Sequence, residues 1–259
     1  MQCVDQLKRN LNIPFPPRRI VSLVPSQTEL LADLGLDEEL KGITRYCIHP
    51  RQLLTSKQII GGTKQLRLDI IAQLKPDLIL ANKEENRAED IEILSRDYPV
   101  WVSDIDNLNS ALDMIRSVGE LSGKTEKANL LADKIDQEFK TFSHDRIPTA
   151  IYLIWKKPFM VAGGQTFIND CLTRAGFRNL LSHQSRYPEI DLEAIRDMSP
   201  DFIFLSSEPY PFGISHVKAF QELFTSSAVH LVDGEMFSWY GSRMLKAPNY
   251  YKTLREKIL

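Results

Sequence analysis

The sequence predicts an α/β protein made of two similar parallel-sheet lobes joined by one long helix. Three observations carry this expectation. Residues 68–84 read LDIIAQLKPDLILANKE and residues 192–208 read LEAIRDMSPDFIFLSSE, a constant offset of 124. In both halves apolar strand-like runs alternate with amphipathic helical patterns, which gives parallel sheets covered on both faces. Between the copies, residues 124–142 keep an amphipathic pattern without any Gly or Pro. So long a period indicates a duplicated domain rather than a stack of short repeats.

In each copy a short helical pattern ends at a proline, Pro76 or Pro200, and a buried strand follows over 78–81 or 202–205. The proline marks the boundary because the residue before it is pushed out of the right-handed helical region. Leu, Ile, Pro, Asp, Ile and Glu recur identically, and Asp69 is answered by Glu193, Leu74 by Met198, Leu78 by Phe202 and Leu80 by Phe204. Looser echoes pair a strand over 19–24 with one over 150–155, and 100–102 with 229–232. In the middle segment Ala128, Leu131, Ile135, Phe139 and Phe142 step by threes and fours along one helix face. Such a helix runs about 28 Å and acts as a rigid strut rather than a hinge. The expected division is a first lobe over 1–122, a bridging helix over 123–145 and a second lobe over 146–259.

Composition excludes several function classes. Lys and Arg total 32 against 34 Asp and Glu, a net charge of -2, so no global positive field recruits nucleic acid or anionic lipid. No apolar run is long enough to span a bilayer, and the opening MQCVDQLKRN lacks the apolar stretch of a secretion signal, so the chain as written is expected in the cytoplasm. Cys3, Cys47 and Cys171 are too scattered for a disulfide framework or a structural zinc site. There is no G-x-S-x-G, H-E-x-x-H or Walker motif. No catalytic residue, resident cofactor or dedicated protein metal site is expected.

Ligands of open parallel sheets bind beyond the carboxyl ends of the strands, and those positions can be read off. The first strand leads into Ser26-Gln27-Thr28-Glu29, which reads as a capping box opening a helix at Thr28. The next leads into Thr44-Arg45-Tyr46-Cys47-Ile48-His49, where Cys47 and His49 are two possible metal donors, too few to make a site. In the second half Trp155-Lys156-Lys157 follows a strand, and Gly163-Gly164 precedes a helix over 167–175 closed by Gly176, as a tight turn rather than an anion cradle. Asp233 to Arg243, DGEMFSWYGSR, packs Phe237, Trp239 and Tyr240 into what reads as a loop after the last strand. It suits an apolar ligand plane carrying anionic groups. The candidate ligand residues are Ser26, Gln27, Tyr46, Asn82, Trp155, Lys157, Trp239, Tyr240 and Arg243, with Trp155, Trp239, Tyr240 and Arg243 facing Ser26, Tyr46 and Asn82 across one cleft.

With RRIVSLVPSQTELL, TRYCIHP, KPDLILANKEEN, SSEPYPF and DGEMFSWYGSR in view, the chain resembles the substrate-binding proteins of ABC importers for vitamin B12, haem and ferric siderophores, in particular their cobalamin-binding-protein-like branch. The likeness covers nearly the whole chain from Asp5 onward. The resemblance implies two lobes joined by one rigid helix, capture of a metal chelate between them with little closure, a periplasmic or cell-surface location, and delivery by a monomer to a membrane permease. It further implies an acidic docking residue on each lobe, with Glu85 and Glu89 as candidates on the first and Glu208 and Glu222 on the second. The competing reading is a cytoplasmic tetrapyrrole- or metal-handling enzyme of the chelatase type, which would need a base and a metal ligand; His49 with Cys47 is the only obvious pair.

Overall fold

The computed structural model of the chain describes residues 1–140 and 146–259. It divides into two compact units, one of Met1–Ile105, Asn109–Asp136 and Tyr240–Arg243, the other of Asp106–Leu108, Gln137–Trp239 and Met244–Leu259.

The first unit opens with an antiparallel hairpin, β1 (Gln2–Val4) and β2 (Asn10–Asn12). The buried Asp5 carboxylate closes it by accepting from the Leu7 and Arg9 backbone N–H groups and from Arg9 Nε. Then come β3 (Ile20–Ser22), α1 (Pro25–Asp33), β4 (Leu40–Ile43), α2 (Leu53–Ser56), β5 (Gln58–Ile59) and a small hairpin, β6 (Gly61–Gly62) with β7 (Gln65–Leu66). The chain continues with α3 (Leu68–Leu74), β8 (Leu78–Asn82), α4 (Ala88–Leu94), β9 (Val100–Ser103), α5 (Leu108–Ser122) and α6 (Thr125–Phe139), of which Leu108 and the last turn of α6 from Gln137 fall in the second unit. Its main sheet has the order β5-β4-β3-β8-β9, all parallel. Interior strand β8, flanked by β3 and β9, is buried at every residue, the expected state of a parallel strand covered on both faces.

Helices α5 and α6 meet at a turn where Gly123 takes the left-handed φ of +73°. A side chain at Gly119 would put its Cβ 2.1 Å from that of Ala128, so the two helices pack backbone to backbone there. Within the segment 123–145 the described residues form α6 (Thr125–Phe139), and Phe142 lies outside the described residues.

The second unit contains β10 (Thr149–Lys156), β11 (Phe159–Val161), α7 (Phe167–Arg174), β12 (Arg178–Asn179), α8 (Leu192–Met198), β13 (Phe202–Ser206), α9 (Ile214–Leu223), β14 (Ala228–Val232), α10 (Gly234–Ser238) and α11 (Ala247–Ile258). Its sheet order is β11-β10-β13-β14 with β12 also on β10, parallel except for β11. Period-two alternation sorts the core. Ile151, Leu153, Ile203 and Leu205 pack with Phe212, Phe220 and Phe224, whereas Tyr152 packs on Phe237, and Phe202 and Phe204 on Phe177.

The repeat has a physical reason. Helices α3 and α8 both end on a left-handed residue, Lys75 at φ 46° and Ser199 at φ 44°, immediately before Pro76 and Pro200. The aspartate after each proline satisfies donors at the start of the neighbouring strand. Asp77 accepts from the backbone N–H groups of Arg18 and Arg19 at 2.8 Å, and Asp201 from the backbone N–H and the hydroxyl of Thr149 at 2.7 Å. The ladders pair Ile20 with Leu78 and Ala150 with Phe202, so Ile20 corresponds to Ala150, one residue from the alignment of 19–24 with 150–155. The looser echo of Val100 with Val229 agrees with the ladders, which place them opposite Ile79 and Ile203.

Candidate functional site

At the carboxyl edge of the first sheet, α1 begins at Pro25 with Val24 as N-cap and no side-chain cap, so the expected capping box from Ser26 to Glu29 does not form. Proline at the first helical position supplies a preset φ and lacks an N–H to orphan. Glu29 is thereby free for another partner: its carboxylate accepts from Arg243 Nε and an Arg243 terminal nitrogen, both at 2.7 Å, in a buried fork.

Beneath this edge lies a buried polar layer. Gln27 Nε2 donates to Ser103 Oγ at 2.7 Å, and Gln27 Oε1 has no hydrogen-bond partner among the described residues. Asn82 Nδ2 also donates to Ser103 Oγ at 3.0 Å, while Asn82 Oδ1 accepts from the backbone N–H groups of Glu84 and Glu85, so this side chain shapes the turn after β8. Tyr240 is buried with its hydroxyl beside those of Ser26 and Ser103, and burial drives its phenol well above the usual range. Gly241, at φ +97°, brings the backbone over α1, where an added Cβ would lie 3.2 Å from the Ser26 carbonyl oxygen. Tyr240 and Arg243 therefore anchor the chain to α1, in the same unit as Ser26 and Asn82.

Tyr46 is different: it is 53% exposed, just past the end of β4. Its ring packs over Gly62, where a Cβ would come within 3.0 Å, and the Arg45 guanidinium lies 6.0 Å from its centroid. Cys47 turns inward, its Sγ 3.1 and 3.2 Å from the hydroxyls of Thr28 and Thr44. Burial pushes that thiol up, against the lowering effect of the hydroxyls, which keeps it in the protonated form that binds metal poorly. His49 is half-buried, and no group of three or more His, Cys, Asp or Glu among the described residues could hold a metal ion.

In the second unit Trp155, 40% exposed, ends β10. Its Nε1 donates to the Lys157 carbonyl at 3.2 Å and its ring meets Tyr210 edge-on at 5.7 Å. Lys157 is exposed beside it. The Gly163 and Gly164 N–H groups are spent on the Arg186 and Gln184 carbonyls, and Cβ atoms there would lie 2.3 and 2.2 Å from carbonyl oxygens of the facing 182–186 segment. They permit close backbone packing, and Thr166 caps α7 by accepting from Asn169 N–H.

DGEMFSWYGSR is not one loop. Asp233 caps α10, Phe237 is wholly buried and Trp239 is 8% exposed. Ser238 Oγ and Trp239 Nε1 donate to Glu208 Oε1 at 2.8 and 2.7 Å, so Glu208 is a half-buried, held carboxylate at the end of β13. Of the other acids expected to dock, Glu89 and Glu222 are exposed and Glu85 is half-buried.

Burial raises the Glu208 pKa above its ordinary 4.5, with the Ser238 and Trp239 bonds working against the shift. Above that pH the folded protein holds this proton more tightly than the unfolded chain, so ionisation lowers stability as pH rises towards the folded-state pKa. We expect Glu208→Gln to gain stability relative to the parent as pH increases from 4.5, measured by urea unfolding at successive pH values. A difference independent of pH would refute it.

Residues 20–230 match the family described as "Periplasmic binding protein". The uncharacterized ABC transporter substrate-binding lipoprotein YvrC of Bacillus subtilis (strain 168) is 26% identical over 211 residues, 77% of this chain and 67% of that protein. The periplasmic vitamin B12 binding protein BtuF of Vibrio cholerae superposes with a TM-score of 0.79 at 20% identity, covering 94% of this chain and 100% of the other. The periplasmic haem binding protein HutB of Vibrio cholerae gives a TM-score of 0.78 at 19% identity, with 92% and 98% covered. At those identities the structures speak for a shared two-lobed fold, and the family match, spanning most of the chain, speaks for kinship. This chain belongs to the periplasmic binding protein family, whose members bind substrates rather than transform them.

Proposed function

We propose that this protein captures a metal chelate, a cobalamin-like corrinoid, haem or ferric siderophore, with loops at the carboxyl ends of both sheets contributing, and delivers it as a monomer to an ABC importer permease at the cell surface or in the periplasm. The family match over residues 20–230 carries this reading. The names of similar proteins support it: ABC transporter substrate binding in one, vitamin B12 binding in another, haem binding in a third. The groups assigned to the ligand are those left exposed, Tyr46, Trp155 and Lys157, while Ser26, Gln27, Asn82, Trp239, Tyr240 and Arg243 are buried. Glu89 and Glu222 supply the exposed acids for docking.

Native mass spectrometry of freshly purified protein is the first test, and a co-purifying chelate is the expected result. Tyr46→Ala and Trp155→Ala should each weaken its binding by about 1 kcal/mol, a several-fold rise in Kd by calorimetry, without altering the unfolding midpoint. Lysine at Glu89 and Glu222 should leave chelate binding intact and abolish stimulation of the permease ATPase. Recovery of no chelate, together with no heat from cobalamin, haemin or ferric siderophores, would refute the proposal.

A further inference from the structure

The sheet of the first unit ends at β9, and the outward backbone groups of that edge strand are occupied. On its inner side the Pro99 and Ser103 carbonyls accept from the Ile79 and Lys83 N–H groups. Alternation along the strand therefore turns the backbone groups of residues 100, 102 and 104 outward. The Val100 carbonyl accepts from an Arg9 terminal nitrogen at 2.8 Å, and the Val102 N–H donates to Asp5 Oδ2 at 3.3 Å. The Val102 carbonyl accepts from the Gln6 backbone N–H at 3.2 Å, and the Asp104 N–H donates to Gln6 Oε1 at 2.9 Å. Three of these four bonds come from side chains of the turn between β1 and β2, a hairpin that remains its own two-stranded sheet. The holders are fixed in turn: Asp5 accepts from the Leu7 and Arg9 N–H groups, and Gln6 Nε2 donates to the Ser110 carbonyl at 2.8 Å.

An uncovered edge strand is a template for another strand, and Val100-Trp101-Val102-Ser103 has the β-branched and aromatic composition that pairs well. The four outward groups are also self-complementary. About a two-fold axis at Val102, an antiparallel copy would exchange both N–H to carbonyl bonds between the two Val102 residues, and each Asp104 N–H would meet the other copy's Val100 carbonyl. Those are the same two donors and two acceptors that Asp5, Gln6 and Arg9 hold. We propose that this turn is a strap that closes the β9 edge against a second copy of the chain, its side chains standing in for the backbone of a partner strand. Side chains achieve what an added strand cannot, because a further strand would present a new open edge.

Sedimentation and amide hydrogen exchange of the full chain test this together. Gln6→Ala with Arg9→Ala opens the Val100 carbonyl and the Asp104 N–H, and keeps the Asp5 bonds to the Leu7 and Arg9 backbone. Adding Asp5→Ala frees the Val102 N–H as well. We expect the parent to sediment at constant mass as concentration rises about a hundredfold, and both variants to shift toward a dimer, the triple variant at lower concentration. In dilute solution the Asp104 amide of the double variant should exchange at least about tenfold faster than in the parent, and regain protection as the dimer forms. Circular dichroism checks folding, and should the triple variant fail to fold, the double variant carries the test by itself. Folded variants that keep the parent's mass across the range, or that associate while the Asp104 amide still exchanges fast, would overturn the proposal.

Discussion

Replacing Arg243 with alanine is expected to destabilise the protein by about 3–5 kcal/mol, the range for breaking a buried ion pair by removing one partner. The pair is a two-pronged contact, Arg243 to both Glu29 oxygens at 2.7 Å, with side chains only 7% and 9% exposed. Alanine leaves Glu29 charged, dehydrated and unpartnered inside the first unit. The double replacement Glu29→Leu with Arg243→Met removes both charges at similar volume and should recover most of the loss, because an apolar pair needs no desolvation. Urea unfolding of the three proteins decides the matter. A single variant within 1 kcal/mol of the parent would show that the guanidinium is not committed to Glu29 and stands available to a ligand, as the sequence reading expects.

Phe237→Ala should cost about 3–5 kcal/mol, the range for emptying a buried aromatic site. Phe237 is wholly buried, 5.2 Å from the Tyr152 ring and 4.9 Å from that of Tyr251. Tyr251 is itself fixed by donating to the Met236 carbonyl at 2.6 Å, so the cavity has rigid walls and little means of collapsing. The expected readout is a large drop in unfolding midpoint with chelate affinity retained in the folded protein. A near-normal midpoint with lost affinity would instead place Phe237 at the ligand.

These two residues show where sequence reading stopped. The density of aromatics in DGEMFSWYGSR was legible, but whether each ring faced a ligand or a core depended on α10, a single short turn of helix that turns Phe237 inward. Arg243 looked like an anion receptor because its partner, Glu29, lies 214 residues away in the chain. Glu29 in turn looked like part of a capping box, since S-x-x-E cannot reveal that Pro25 has already started the helix. Tyr46 and Trp155 are exposed at strand ends, where the carboxyl-edge rule put them, because that rule depends only on local strand and helix order.

The sequence by itself determined the two α/β sheets, their parallel strands and the helix-proline-aspartate-strand unit that recurs at an offset of 124. Those features follow from periodicity and from backbone restrictions acting over a few residues, so they are written wherever the residues are written. Only the tertiary structure decided that Tyr240–Arg243 return to the first unit, that Glu208 is held by Ser238 and Trp239, and that Cys47 faces two threonine hydroxyls. Each is a choice of partner for a polar or aromatic side chain. The type of residue requires a partner once it is buried, but which partner comes within reach is set by how distant segments pack.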